Sequence, residues 1–394
     1  MTDCCIIGGG VVGLSIAREL ASRGRTVRVL ARGQGRDTAS WAAAGIFPPA
    51  PVFAGSPPGD ALTAWSDRLH REWSLELLNE TGIDNELRRC GGLHVAASER
   101  GLSRLRAAAA DWHRKGTACE WLDGPAVADH EPALVAAVDR GAVIGGFLLP
   151  DEMSIRPPRH LEALAESCRR RGVEISTVSE VNRFEVADGR IAGVVTSEGV
   201  VRAGCYCLAA GAWSGGLAEQ LGLRLETRPI RGQIVLLKLP RQILVHVVNL
   251  GLDYLVPRDD GRLLVGSTIE DAGFAATTTE DAVQRLLAVA RELLGDLPDV
   301  RTEQAWAGLR PGSADGLPSL GRLPGLANGF IAAGHFRAGL HQSTGTAVLL
   351  ADMITGAAPS IDPTPFDPAR PIEASARKHK DSVDAYLARA AEPE

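Results

Sequence analysis

Apolar residues recur along this chain with two periods, and the switches between them predict its elements. Cys4-Cys5-Ile6-Ile7 is a short apolar run that breaks at Gly8-Gly9-Gly10. Residues 14–23 then carry helical spacing as far as Gly24, and a second short run covers 26–30. Strand, glycine turn, helix, strand is the predicted opening. From Asp60 the positions Leu62, Trp65, Leu69, Trp73 and Leu77 share one helical face, with Gly82 as the stop. A strand is predicted over 91–97, an amphipathic helix over 98–115, and short mixed elements up to 149. Pro157, Leu161, Leu164 and then Gly172 mark a helix that leads into a strand at 173–178. Strands follow at 182–187, 191–197 and 204–210, the first two joined by Asp188-Gly189. A second strand-rich block covers 228–239, 245–250, 253–258 and 262–267, with Asp260-Gly261 as a hairpin turn. A helix over 280–294, capped by Thr279 and ended by Gly295, comes next. A strand at 329–334 and a helix at 339–354 close the pattern, and the polar tail beyond Pro368 is expected to be peripheral.

A length of 394 residues exceeds what one core usually serves, so two domains are expected. Hydrophobic residues at 45% and charged ones at 23% are the balance of an ordinary globular protein. A net charge of −6 argues against a nucleic-acid partner. None of the seven cysteines forms a C-x-x-C pair, so no metal site is expected, and Cys205 and Cys207 are predicted to share one face of a strand. With no apolar run long enough for a bilayer and no leader before Cys4, the expected location is the cytoplasm, with no membrane partner.

Gly8, Gly10 and Gly13 fit G-x-G-x-x-G, in which a tight turn lets the backbone approach a pyrophosphate at a helix N-terminus. By itself the pattern leaves NAD, NADP, FAD and a plain glycine-rich turn all open. The acid that dinucleotide folds place at the end of the second strand is absent: Ala31 stands there, followed by Arg32, a pairing that could read a 2′-phosphate. The run from Ala39 to Ile46 is small-sided, suited to lying against a bulky ligand, or else to an alanine-rich helix start capped by Ser40.

Further stretches add specificity: Ser40-Trp41-Ala42-Ala43-Ala44-Gly45-Ile46, Ala209-Ala210-Gly211-Ala212-Trp213-Ser214 and Tyr254-Leu255-Val256-Pro257-Arg258. Most specific are the run from Trp306 through Arg310-Pro311-Gly312 to Pro318, and Gly334-His335-Phe336-Arg337-Ala338-Gly339-Leu340. Over nearly the whole chain these residues resemble the FAD-dependent amino-acid and amine oxidases of the D-amino-acid oxidase fold, and among them the glycine oxidases of thiamine biosynthesis. The resemblance implies an α/β fold. A discontinuous Rossmann-type FAD-binding domain (1–85, 150–225 and 326–394) would accompany an α+β substrate domain on a mixed antiparallel sheet (86–149 and 226–325).

By the same resemblance FAD is the cofactor, touched by Gly8, Gly10, Val11, Val12, Gly13, Arg32, Ala39, Ser40, Ala44, Gly45 and Ile46. Val181 would lie by the adenine, and His335, Phe336, Arg337, Ala338, Gly339, Leu340 and His341 would line the flavin. Arg310 would grip a substrate carboxylate, Tyr254 would donate its hydroxyl to it, and Arg337 is a third catalytic candidate. The implied reaction takes hydride from the α-carbon of a small amino acid or amine to the flavin, with dioxygen as acceptor and hydrogen peroxide as product. Competing expectations are an oxidase or dehydrogenase for sarcosine or small D-amino acids, a flavin-poor silent relative, and an NADP enzyme. Ile269 and Ala338 depart from the Met and Asn that glycine oxidases often carry there. The family also suggests a homo-oligomer, to which the helix after Asp60 could contribute. Restoring an acid by Ala31→Glu is expected to tighten FAD binding.

Overall fold

The first strand, Thr2–Ile7, is apolar on both faces because it lies in the middle of a parallel sheet covered on both sides. A computed structural model describes residues 2–33, 38–53, 55–296, 300–372 and 382–391. In spatial order the six-stranded sheet runs Ser319–Arg322, Gly329–Ala333, Ala203–Leu208, Thr2–Ile7, Val27–Leu30 and Glu174–Ser176. All pairs are parallel except the first. Cys4, Ile6, Val29 and Cys207 face the helices Val11–Ser22, Pro157–Arg170 and Ser343–Thr355. Cys5, Ile7, Tyr206 and Leu208 face a small three-stranded sheet spanning 181–201. Cys205 and Cys207 do share a face, and the Cys205 thiol lies 3.1 Å from that of Cys4.

The two strand-rich excursions meet in one eight-stranded sheet, because strands from 92–149 continue the order set by those from 227–313. Its one parallel pair is Val247–Leu250 with Gly92–Ala96; the others are antiparallel. The helix Glu280–Leu294 covers it with Leu286, Val289, Ala290 and Leu293.

Turn chemistry was read well: Asp188 and Gly189 both adopt positive φ, 51° and 66°, and Gly82 ends the helix Pro58–Thr81 at φ 75°. Several expectations need correction. The strand Ser319–Arg322 was not predicted; it is short, contains Gly321, and joins the first sheet although it lies within the block assigned by sequence to the substrate side. The last long helix starts at Ser343 rather than 339, since residues before it form turns with Phe336 at φ 51°. Thr279 stands at its helix start without capping it, because its hydroxyl accepts from Gln233 Nε2 at 3.2 Å. The tail is not simply peripheral: it ends in a helix, Val383–Ala391, whose Val383 is buried against Ile230 and Phe336 and whose Asp384 pairs with Arg228.

Candidate active site

At the glycine turn, each glycine is required by a different neighbour. A Cβ on Gly8 would lie 2.2 Å from the Ala209 carbonyl oxygen, and one on Gly13 would lie 2.0 Å from that of Gly8. These two glycines therefore close strand, turn and helix onto one another. A Cβ on Gly9 would meet Ala31 Cβ at 2.7 Å, and one on Gly10 would meet Ser40 Oγ at 3.0 Å. The helix Val11–Ser22 has no acidic residue in its first turn and no side-chain cap from Gly10, so its N-terminal end stays positive. Ser40 does not cap its own short helix, a task that falls to Thr38. It accepts from the Val11 N–H at 3.0 Å instead, joining the small-sided segment to the glycine turn.

From this turn a cavity of about 1250 Å³ runs past 38–46 to the eight-stranded sheet and the turn 335–341. Every candidate residue named from the sequence lines it except Gly13 and Ala338. Gly13 lies beneath Gly8, and Ala338 spends its N–H on the His335 carbonyl at 3.0 Å. The small side chains answer partly to packing, since a Cβ on Gly308 would come within 2.5 Å of Ala42 Cβ. Size, glycine cradle and positive helix end together fit a dinucleotide lying lengthwise.

At the sheet end, Arg310 and Tyr254 arrive from strands far apart in sequence, and each lies on a glycine of a neighbouring strand. A Cβ on Gly232 would sit 2.2 Å from both terminal nitrogens of Arg310, and one on Gly266 would sit 2.6 Å from the Tyr254 hydroxyl. The Arg310 guanidinium donates to the Thr268 carbonyl at 3.1 Å, to the Arg231 carbonyl at 3.4 Å and to Ser267 Oγ at 2.8 Å. Those bonds orient it at the cavity wall. Gly232, Gly266, Ser267 and Thr268 were not identified from sequence, and only the unexpected glycines inside predicted strands could have drawn attention to them.

The turn 335–341 is held from behind by one stripe of the helix Pro58–Thr81. Thr63 accepts from Gln342 Nε2 at 2.9 Å, Ser66 Oγ accepts from the Gly345 N–H at 3.1 Å, and Asp67 accepts from His341 Nε2 at 3.1 Å. One turn further on, His70 Nε2 donates to the Leu340 and His341 carbonyls, both at 3.0 Å. The spacing 63, 66, 67, 70 is a single helical face, polar where the apolar face was the visible signal. Burial opposes the Asp67 charge, but the His341 and Arg71 contacts outweigh it and hold its carboxyl below the usual range. His335 is buried, bonded to Thr346 at 3.0 Å, and pushed by that burial down to about 4, so it is neutral near pH 7. At the opposite end of the cavity Arg32 lies over the Trp213 ring at 4.4 Å and 3.7 Å from Glu180, with Val181 adjoining.

A family model described as FAD dependent oxidoreductase matches residues 3–353. The chain is 36% identical to a glycine oxidase of Pseudomonas aeruginosa, covering 92% of this chain and 98% of that protein. It is 32% identical to a bifunctional protein ThiO/ThiG of a Nostoc species, across 89% of this chain and 52% of that one. A crystal structure of glycine oxidase from Geobacillus kaustophilus superposes with a TM-score of 0.87 at 31% identity, covering 94% of this chain and 99% of that chain. Match over most of the length, together with a cavity built from the motif residues, places this chain in the FAD-dependent oxidoreductase family.

Proposed function

We propose that the protein oxidises glycine, or a comparably small amino acid or amine, to the imino acid, and that its product feeds thiazole formation in thiamine biosynthesis. The observation that carries this is that Arg310 and Tyr254, seated on Gly232 and Gly266, both line the cavity that begins at the glycine turn. FAD held in this cavity would supply a two-electron acceptor for the substrate's α-hydrogen, reoxidised by dioxygen with two protons to give hydrogen peroxide. Its diphosphate is assigned to the positive helix end at Val11 and Val12, its adenine to Val181, and its ring to the turn 335–341.

Arg310 offers a planar cation for the substrate carboxylate, and its bonds to Ser267 and Thr268 set its orientation before substrate arrives. Tyr254 adds a hydroxyl donor to the same carboxylate, which fixes the α-carbon relative to the ring. Arg337, exposed at the cavity edge, guards the approach for anionic substrates. His335 is assigned no proton transfer, since it is buried, neutral and tied to Thr346. The amine enters as its free base, and water hydrolyses whatever imino acid is not taken up by thiazole formation. Anaerobic glycine should bleach the flavin bands of the purified protein, and aerobic turnover should yield peroxide. Bleaching by sarcosine or D-alanine but not glycine would transfer the assignment to those substrates, and no bleaching by any of the three would end it.

A further inference from the structure

We infer that Glu180 provides the carboxylate that reads the ribose hydroxyls of FAD, replacing the acid that the second strand lacks. The inference rests on the proposed placement of the adenosine half of FAD beside Val181.

The second strand, Val27–Leu30, ends at Ala31, where dinucleotide folds usually carry an acid. The chain that follows the adjacent strand Glu174–Ser176 runs along this same end. Ala31 donates its N–H to the Ser176 carbonyl at 2.8 Å, Gly33 donates to Thr177 at 2.7 Å, and Arg32 bridges to Val178. Continuing from that bridge, Ser179 and Glu180 lead into Val181, and all three line the cavity with Ala31 and Arg32. The chain beyond the neighbouring strand thus brings an acid to Arg32, one residue past Ala31.

Among the described residues two acids line the cavity, Glu162 and Glu180. Glu162 projects from the helix Pro157–Arg170, whereas Glu180 lies 3.7 Å from Arg32, just past the end of the second strand. Arg32 is itself steadied over the Trp213 ring. The turn below is pinned too: Ser179 is buried, its hydroxyl lies 2.5 Å from that of Ser176, and both bond to Glu198. A carboxylate beside a cation, on a turn whose preceding residue is pinned, is placed to accept from two hydroxyl donors. The same pair disfavours the NADP reading of Arg32, because Glu180 places a negative charge where a 2′-phosphate would have to sit.

The test is titration of flavin-free protein with FAD and with FMN, which lacks the ribose–adenine half, followed by flavin fluorescence. Wild type should prefer FAD. Glu180→Gln should weaken FAD about tenfold while leaving FMN unchanged. Ala31→Glu should change little in the wild type but restore FAD affinity in the Glu180→Gln protein. Glu162→Gln should alter neither ligand. A Glu180→Gln protein that keeps wild-type FAD affinity, or loses FAD and FMN equally, overturns the inference. A wild type indifferent between FAD and FMN overturns the placement on which it rests.

Discussion

Glycine serves opposite purposes at the two ends of the cavity. At the nucleotide end, Gly8 and Gly13 are close in sequence, and each makes room for backbone: the Ala209 carbonyl against Gly8, the Gly8 carbonyl against Gly13. At the sheet end, proposed to take the substrate, Gly232 and Gly266 make room for side chains of other strands, Arg310 and Tyr254, that cross over them. The first use lets backbone close on backbone, within the turn at Gly13 and against the adjacent strand's end at Gly8. The second is a tertiary device that seats a guanidinium and a phenol flat on a sheet, which glycines inside strands, otherwise a weakness, permit.

This contrast makes distinct losses separable. Gly13→Val should have the largest effect: with a Cβ only 2.0 Å from the Gly8 carbonyl oxygen, strand and helix cannot close, and the protein should be purified colourless or insoluble. Visible absorbance and recovered yield check this. Gly232→Ala should instead keep the yellow colour but displace the guanidinium, whose nitrogens lie 2.2 Å from the added carbon. Its kcat/KM for glycine should fall roughly a hundredfold, mainly through KM, a loss of about 3 kcal/mol. Equal flavin loss in both variants would erase the distinction.

A third effect comes from the wall between the two ends. His335 has a folded-state value of about 4 against an ordinary 6.5, so between those values the unfolded chain binds a proton that the folded one refuses. Stability must therefore fall as pH drops from 6.5 toward 4, by about 1.4 kcal/mol per pH unit for this one proton. Urea unfolding of wild type and His335→Gln at several pH values in that window should show a shallower slope in the variant; parallel slopes would remove the assignment. The smallest effect expected is that of Tyr254→Phe, which deletes one hydroxyl donor and keeps the ring on Gly266. About a tenfold drop in kcat/KM is expected, with FAD affinity unchanged.

Much of the nucleotide end was legible in the chain itself. The apolar run from Cys4 to Ile7, the glycine spacing and the helix after it are consecutive, so periodicity and turn chemistry suffice to read them. Arg310 and Tyr254 were reached through resemblance, since nothing in the local pattern around a strand arginine tells a carboxylate anchor from a surface ion pair. The stripe Thr63, Ser66, Asp67 and His70 escaped because its polar residues fit an exposed helix face as well as a buried one. Only the docking of residues 340–345 against that face makes them structural. The C-terminal helix escaped for a similar reason: Val383 and Leu387 have meaning only against Ile230, Ile269 and Phe336.

By itself, then, the sequence determined the opening strand, turn, helix and strand, most of the elements that follow, and the absence of an acid at Ala31. These depend on residues adjacent in the chain, where steric limits on the backbone and burial periodicity act directly. Tertiary structure decided which glycines receive side chains, which helix face holds the turn 335–341, and that Glu180 meets Arg32. Each of those facts is a contact between segments distant in sequence, and the free energy of such a contact exists only once the sheets have brought the segments together.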